Sequence, residues 1–143
     1  MANASSVEQV APARKAVIVA AGKSSRLYPR TLQLPKALLE VNGETLIERA
    51  VGQLEHLGIS EIAVVTGFKA SKIREVLGAG VSYIFNPFYA HCNNMGSLWC
   101  AREFVGNDPF IYSHADIIYH PDILQSAAAE FATSDFDLSL VTD

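Results

Sequence analysis

Ala16-Val17-Ile18-Val19-Ala20 is a short, continuously apolar run. It predicts a strand covered on both sides. Such a strand belongs to a sheet with helices above and below it, so the rest of the chain must supply both. Asn42-Gly43 marks a turn, and Thr45 caps a helix, with Glu48 completing a capping box. Ile47, Ala50, Val51 and Leu54 recur on one face of that helix, and Gly58 stops it. Residues 62–65 read as a second buried strand, 71–77 as a short helix ended by Gly78, and 81–85 as a third strand. After a polar loop over 86–96, residues 97–104 read as a helix, 110–112 as a strand, and 121–131 as a helix with proline near its start. Residues 138–141 begin a last strand. The alternation predicts an α/β fold with a doubly wound, mainly parallel sheet. Ligands of such sheets bind at the carboxyl ends of the strands, which singles out the loops after Ala20, Phe85 and Tyr112.

The 143 residues, half of them hydrophobic and 18% charged, suit one globular domain with a real core. Residues 1–14 lack the basic start and apolar stretch of a signal peptide and read as a flexible leader, leaving 15–143 as the domain. No apolar run approaches the ~20 residues of a membrane helix. A net charge of -4 argues against a nucleic-acid surface, while a few local cations suffice for one triphosphate. Cys92 and Cys100 form no disulfide framework and too small a ligand set for a metal site. They read as buried free thiols in a reducing, cytoplasmic setting.

Gly22-Lys23-Ser24 invites comparison with a P-loop, whose pattern is G-x-x-x-x-G-K-[ST]. The first glycine of that pattern would fall on Val17, in mid-strand, and Pro29 and Pro35 break the helix a P-loop runs into. The P-loop reading fails. What remains is small residues at 20–22, whose backbone a ligand can approach closely, followed by Arg26 and Lys36. Arginine offers a fork of donors matched to phosphate oxygens, and lysine a mobile point charge. The plainer alternative is a glycine turn with two solvated cations.

Several ordered matches favour the first reading. Val19-Ala20-Ala21-Gly22 with Ser25-Arg26-Leu27, then Pro35-Lys36-Ala37-Leu38, Val41-Asn42-Gly43 and Leu46-Ile47, resembles the opening of the sugar-phosphate nucleotidyltransferase superfamily. The usual second glycine of the turn is replaced here by Ser24 or Ser25. Phe85-Asn86-Pro87-Phe88-Tyr89, Asn93-Asn94 and Ser97-Leu98-Trp99 resemble the branch of phosphocholine and 2-aminoethylphosphonate cytidylyltransferase-like enzymes. Asparagine amides donate and accept, which suits a base edge or a ribose, although turn and cap roles are the alternative. Tyr89 and Trp99 read as core or loop packing.

Residues 111–116, Ile-Tyr-Ser-His-Ala-Asp, end a strand in a small residue and a carboxylate. In the superfamily an aspartate at this place binds magnesium, a hard cation that prefers carboxylate oxygen. His114 and His120 bracket a loop rather than one helix face and read as surface histidines. Asp122, in the first turn of a helix, is explained by the helix dipole.

The resemblance thus implies a nucleotide-diphospho-sugar transferase, or Rossmann-like, fold that transfers a nucleoside monophosphate from a triphosphate and releases pyrophosphate. Arg26 would hold the triphosphate, Lys36 would neutralise the reacting phosphates, and Asp116 would fix Mg2+. Ala20, Ala21, Gly22, Lys23 and Ser25, with Asn86, Asn93 and Asn94, would seat the nucleotide. CTP is the donor the asparagine loop implies, and phosphocholine or 2-aminoethylphosphonate the kind of acceptor. The alternatives are a sugar-1-phosphate nucleotidyltransferase using UTP, GTP or dTTP, and a nucleotide-binding regulatory module without turnover. Relatives of this kind continue past the place of Asp143, adding a second magnesium-binding aspartate and most of the acceptor pocket. Asp135, Asp137 and Asp143 do not obviously replace that ligand, so the domain is expected to be incomplete at its C-terminal end.

Overall fold

A computed structural model describes residues 13–24, 27–133 and 137–140. The apolar run forms β1 (Lys15–Ala20), and its residues from Ala16 onward are at most 8% exposed. A short hairpin of β2 (Glu40–Val41) and β3 (Glu44–Thr45) follows, with Asn42 at φ 57 and Gly43 at φ 81. Two consecutive left-handed residues are what a type I′ hairpin turn requires. Thr45 caps α1 (Leu46–His56): its hydroxyl accepts from the Glu48 N–H, and the Glu48 carboxylate accepts from the Thr45 N–H at 3.0 Å. Then come β4 (Glu61–Thr66), α2 (Ala70–Leu77), β5 (Ser82–Phe85), α3 (Asn94–Cys100), α4 (Arg102–Val105), β6 (Phe110–His114) and α5 (Pro121–Thr133).

Four strands run parallel in the order β5-β4-β1-β6, so the predicted doubly wound α/β sheet is what forms. The alternation along β1 shows why its residues had to be apolar throughout. Ala16, Ile18 and Ala20 join Ile47, Leu54, Ile62, Val64 and Ile73 in a core beneath α1 and α2. Val17 and Val19 join Val65, Ala101 and Val105 in a second core beneath α3 and α4. Each large side chain so buried contributes about 1.5–3 kcal/mol.

The structure departs from the sequence reading in several places. The helix expected over 97–104 begins earlier and breaks at Ala101, whose N–H closes a tighter bond to the Leu98 carbonyl and re-aims the chain. Residues 138–140 form no strand: Leu138 and Leu140 are 70% and 75% exposed and find no sheet neighbour, and Val141 lies outside the described residues. Trp99 packs in no core; it is 68% exposed, with the Arg102 guanidinium 5.2 Å from its ring centroid. Cys92 and Cys100 are free, as expected, yet only half-buried. Among the described residues no helix is long and apolar enough to cross a membrane.

Candidate active site

Parallel pairing puts Ala20, Thr66 and Phe85 in register, with Val19 beside His114, so the strands end on one side of the sheet. The loops that leave there meet. Ala21 is buried, and its carbonyl accepts from the Phe68 N–H at 3.0 Å, tying the first loop to the turn after β4. Gly22 is exposed, has no left-handed backbone, and a Cβ built on it would touch nothing within 4 Å. Protein packing does not require glycine there, so the open backbone is available to a ligand. Ser24 turns the chain at φ 51, which identifies it as the residue standing at the turn's glycine-favouring position. The hydroxyl of fully buried Thr31 holds that turn by donating to the Ser24 carbonyl at 2.8 Å. Ser25 and Arg26 lie outside the described residues.

Pro35 and the single helical turn Lys36–Leu38 bring the chain back beneath α1. Ala37 and Leu38 are buried in the first core, anchoring the backbone from which Lys36 projects. Across the cleft, Ala115 is 3% exposed and donates its N–H to the Val19 carbonyl at 3.2 Å, delivering Asp116 to the strand end. Lys36 Nζ and Asp116 Oδ2 are 2.5 Å apart, with 34% and 37% of their side chains exposed. Two residues separated by 80 positions, predicted on separate loops, therefore share one site.

The asparagine loop divides. Asn86 is 0% exposed, and its amide is committed inward: Nδ2 donates to Cys92 Sγ at 3.1 Å and Ser97 Oγ at 3.0 Å, and Oδ1 accepts from the Phe88 N–H at 2.8 Å. It shapes the loop and presents nothing to a ligand, contrary to the expectation for it. Asn93 caps α3 by accepting from the Gly96 N–H at 3.1 Å. Asn94 is exposed, with its Nδ2 3.2 Å from His114 Nδ1. His114, expected at the surface, is half-buried, and its Nε2 lies 3.0 Å from the Tyr112 hydroxyl. Burial pushes the Tyr112 phenol pKa up, which keeps the hydroxyl neutral. Lys23 is exposed and its Nζ sits 5.8 Å from the centre of the Tyr89 ring, which meets Phe85 edge-on, so Tyr89 packs in the loop as expected.

Sequence reasoning missed Gly67. A Cβ there would lie 2.5 Å from Tyr89 Cβ and 2.7 Å from the Ala21 carbonyl oxygen. This glycine lets the first loop and the asparagine loop close on one another. The available signal was its place directly after the second apolar strand, where two loops must cross.

Known proteins agree with this architecture. CMP-5'-(3-aminopropyl)phosphonate synthase of Streptomyces rubellomurinus is 34% identical over 120 residues, covering 80% of this chain and 19% of that protein. Choline-phosphate cytidylyltransferase of Streptococcus pneumoniae is 38% identical over 94 residues, 65% of this chain and 41% of that one. The solved structure of a nucleotidyl transferase from Methanothermobacter thermautotroptrophicus superposes with a TM-score of 0.68 at 31% identity, over 80% of this chain and 56% of its own. The chain thus spans less than half the length of both curated relatives. The MobA-like NTP transferase domain model matches residues 16–143, from the first strand onward, and the chain belongs to that family.

Proposed function

We propose that the protein transfers CMP from CTP to a small phosphorylated or phosphonate acceptor and releases pyrophosphate. The observation that carries this reading is the meeting of Lys36 and Asp116 at the strand ends. Phosphoryl transfer asks the protein for positioned reactants and neutralised charge more than for covalent chemistry. An acceptor oxygen attacks the α-phosphorus in line, the bond to the bridging oxygen breaks, and pyrophosphate leaves. Lys36 neutralises the reacting phosphates, and Arg26 holds the triphosphate. The backbone of Ala20, Ala21 and Gly22 offers N–H groups to the nucleotide, with Lys23 and Ser25 on the same loop and Asn93 and Asn94 opposite.

The donor set fits magnesium. Asp116 offers one exposed carboxylate at the strand end, beside the Lys36 cation. Magnesium takes one or two carboxylates and fills its shell with water and phosphate oxygens, whereas a calcium or zinc cage asks for more side chains. Asp116 would hold the ion, whose chemistry here is charge neutralisation on the phosphates. Lys36 and Asp116 serve as each other's counter-ion. A pair this exposed contributes only about 0–1 kcal/mol, so it parts readily when a triphosphate and a cation arrive together.

The cytidylyl-transferring relatives and the exposed asparagine support CTP as donor. Pyrophosphate release, measured with CTP, UTP, GTP and dTTP against phosphocholine, 2-aminoethylphosphonate and a sugar 1-phosphate, tests the reading. Release with CTP and a phosphocholine-like acceptor is expected. Release only with a sugar 1-phosphate and another triphosphate would replace it with the sugar-nucleotide reading. Calorimetric nucleotide binding without any release would leave a binding module.

A further inference from the structure

Side chains alternate along a strand, so Phe110, Tyr112 and His114 of β6 share the face covered by α3 and α4. His114, last in that row, arrives beside the first residue of α3, Asn94. Its ring nitrogens are both engaged, Nδ1 with Asn94 Nδ2 at 3.2 Å and Nε2 with the Tyr112 hydroxyl at 3.0 Å. The Tyr112 and His114 rings meet edge to face with centroids 5.1 Å apart, which fixes the imidazole plane. An amide nitrogen can only donate. Nδ1 is therefore the acceptor, and the ring proton on Nε2 goes to the Tyr112 phenol oxygen. The Asn94 amide is then held with its nitrogen toward the protein and its carbonyl oxygen outward.

We infer that His114 is a positioning residue for base selection, locking the Asn94 amide so that its oxygen meets a base edge carrying an amino group. The inference rests on the nucleotide-transfer reading above. A fixed carbonyl accepts from the cytosine amino group; at the corresponding place uracil offers another carbonyl oxygen, and two acceptors face one another. An asparagine free to turn would serve either base. Discrimination therefore depends on the histidine behind it.

Steady-state kinetics with CTP and UTP on one acceptor test this in the unsubstituted protein, His114→Phe, His114→Asn and Asn94→Ala. Phenylalanine keeps the ring and removes both nitrogens; asparagine restores an acceptor near Nδ1. His114→Phe is expected to lower the CTP-to-UTP ratio of kcat/KM about tenfold. Most of that comes through KM for CTP, with kcat moving less than about threefold. His114→Asn should recover most of the ratio, which a purely structural loss would not. Asn94→Ala alters an exposed side chain and should lower the ratio equally, and the double variant His114→Phe/Asn94→Ala should lower it no further. Should His114→Phe fail to fold, the comparison of His114→Asn with Asn94→Ala decides the matter by the same ratio. An unchanged ratio in variants that still use CTP overturns the positioning role and leaves nucleotide transfer standing. No turnover with any triphosphate in the unsubstituted protein overturns both.

Discussion

The loops after β1 and β5 face one another across the same end of the sheet, and they are built on opposite terms. In the first, the residues that look functional are not needed by the fold: a Cβ added at Gly22 would meet nothing, and Lys36 projects from a turn whose apolar neighbours do the anchoring. In the second, similar-looking residues are mostly structural. Asn86 is fully buried with its amide spent on Cys92, Ser97 and Phe88, Asn93 caps a helix, and only Asn94 stands exposed without a helix or loop to shape. A polar motif is therefore a guide to ligand contact only where the backbone around it is already satisfied.

Substitutions can break that contrast. The largest effect is expected from Lys36→Ala, a loss of about 10²–10³ in turnover, as for removal of one preorganised charge-stabilising donor. Its unfolding free energy should change by less than about 1 kcal/mol, because the pair with Asp116 is exposed. Pyrophosphate release paired with urea denaturation checks both; unchanged turnover would remove Lys36 from the chemistry. Asn86→Ala should show the reverse. It strands the partners of a buried amide and should cost about 1–3 kcal/mol in the denaturation midpoint, and nucleotide affinity measured in the folded fraction should hold.

The glycines sharpen the comparison further. Gly67→Ala forces Tyr89 and the Ala21 carbonyl apart and should destabilise by about 1–3 kcal/mol in urea unfolding. Gly22→Ala should stay within about 0.5 kcal/mol of the parent while raising KM for the triphosphate. If both behave alike, the division between scaffold and presentation fails. The smallest effect concerns neither loop and serves as a control on α1. The Thr45 hydroxyl, then the Thr45 N–H, hold the Glu48 carboxyl below its usual pKa, with burial opposing weakly. A depressed folded value means stability present above the ordinary glutamate range and lost as pH falls through the folded value. Glu48 is exposed and its field is screened by solvent, so Glu48→Gln should trail the parent in thermal stability at neutral pH only slightly, with the gap closing in acid.

The sheet was legible because a strand buried on both faces has almost no freedom of composition, and β1, β4 and their helices carry patterns that only one layering satisfies. The capping box at Thr45 and the Asn42-Gly43 turn were equally plain, since each depends on local hydrogen bonds or backbone angles. The meeting of Lys36 with Asp116 is what parallel topology allows, since the loop after β1 that carries Lys36 and the turn after β6 that carries Asp116 leave the same side of the sheet. What stayed hidden depended on neighbours distant in sequence. Nothing around Asn86 foretells its burial, Gly67 reveals its purpose only beside Tyr89, and His114 gains partners from another strand position and another helix. Trp99 misled because an aromatic in a helix usually packs inward, and α3 turns this one out.

Among the described residues β6 pairs with β1 alone, so its other margin carries no strand partner there. Beside that margin Phe110 lines a shallow hollow with Met95, Leu98 and Trp99. An unpaired strand margin beside apolar surface is a common route to association between copies, and a mass measured at two protein concentrations shows whether this margin takes it.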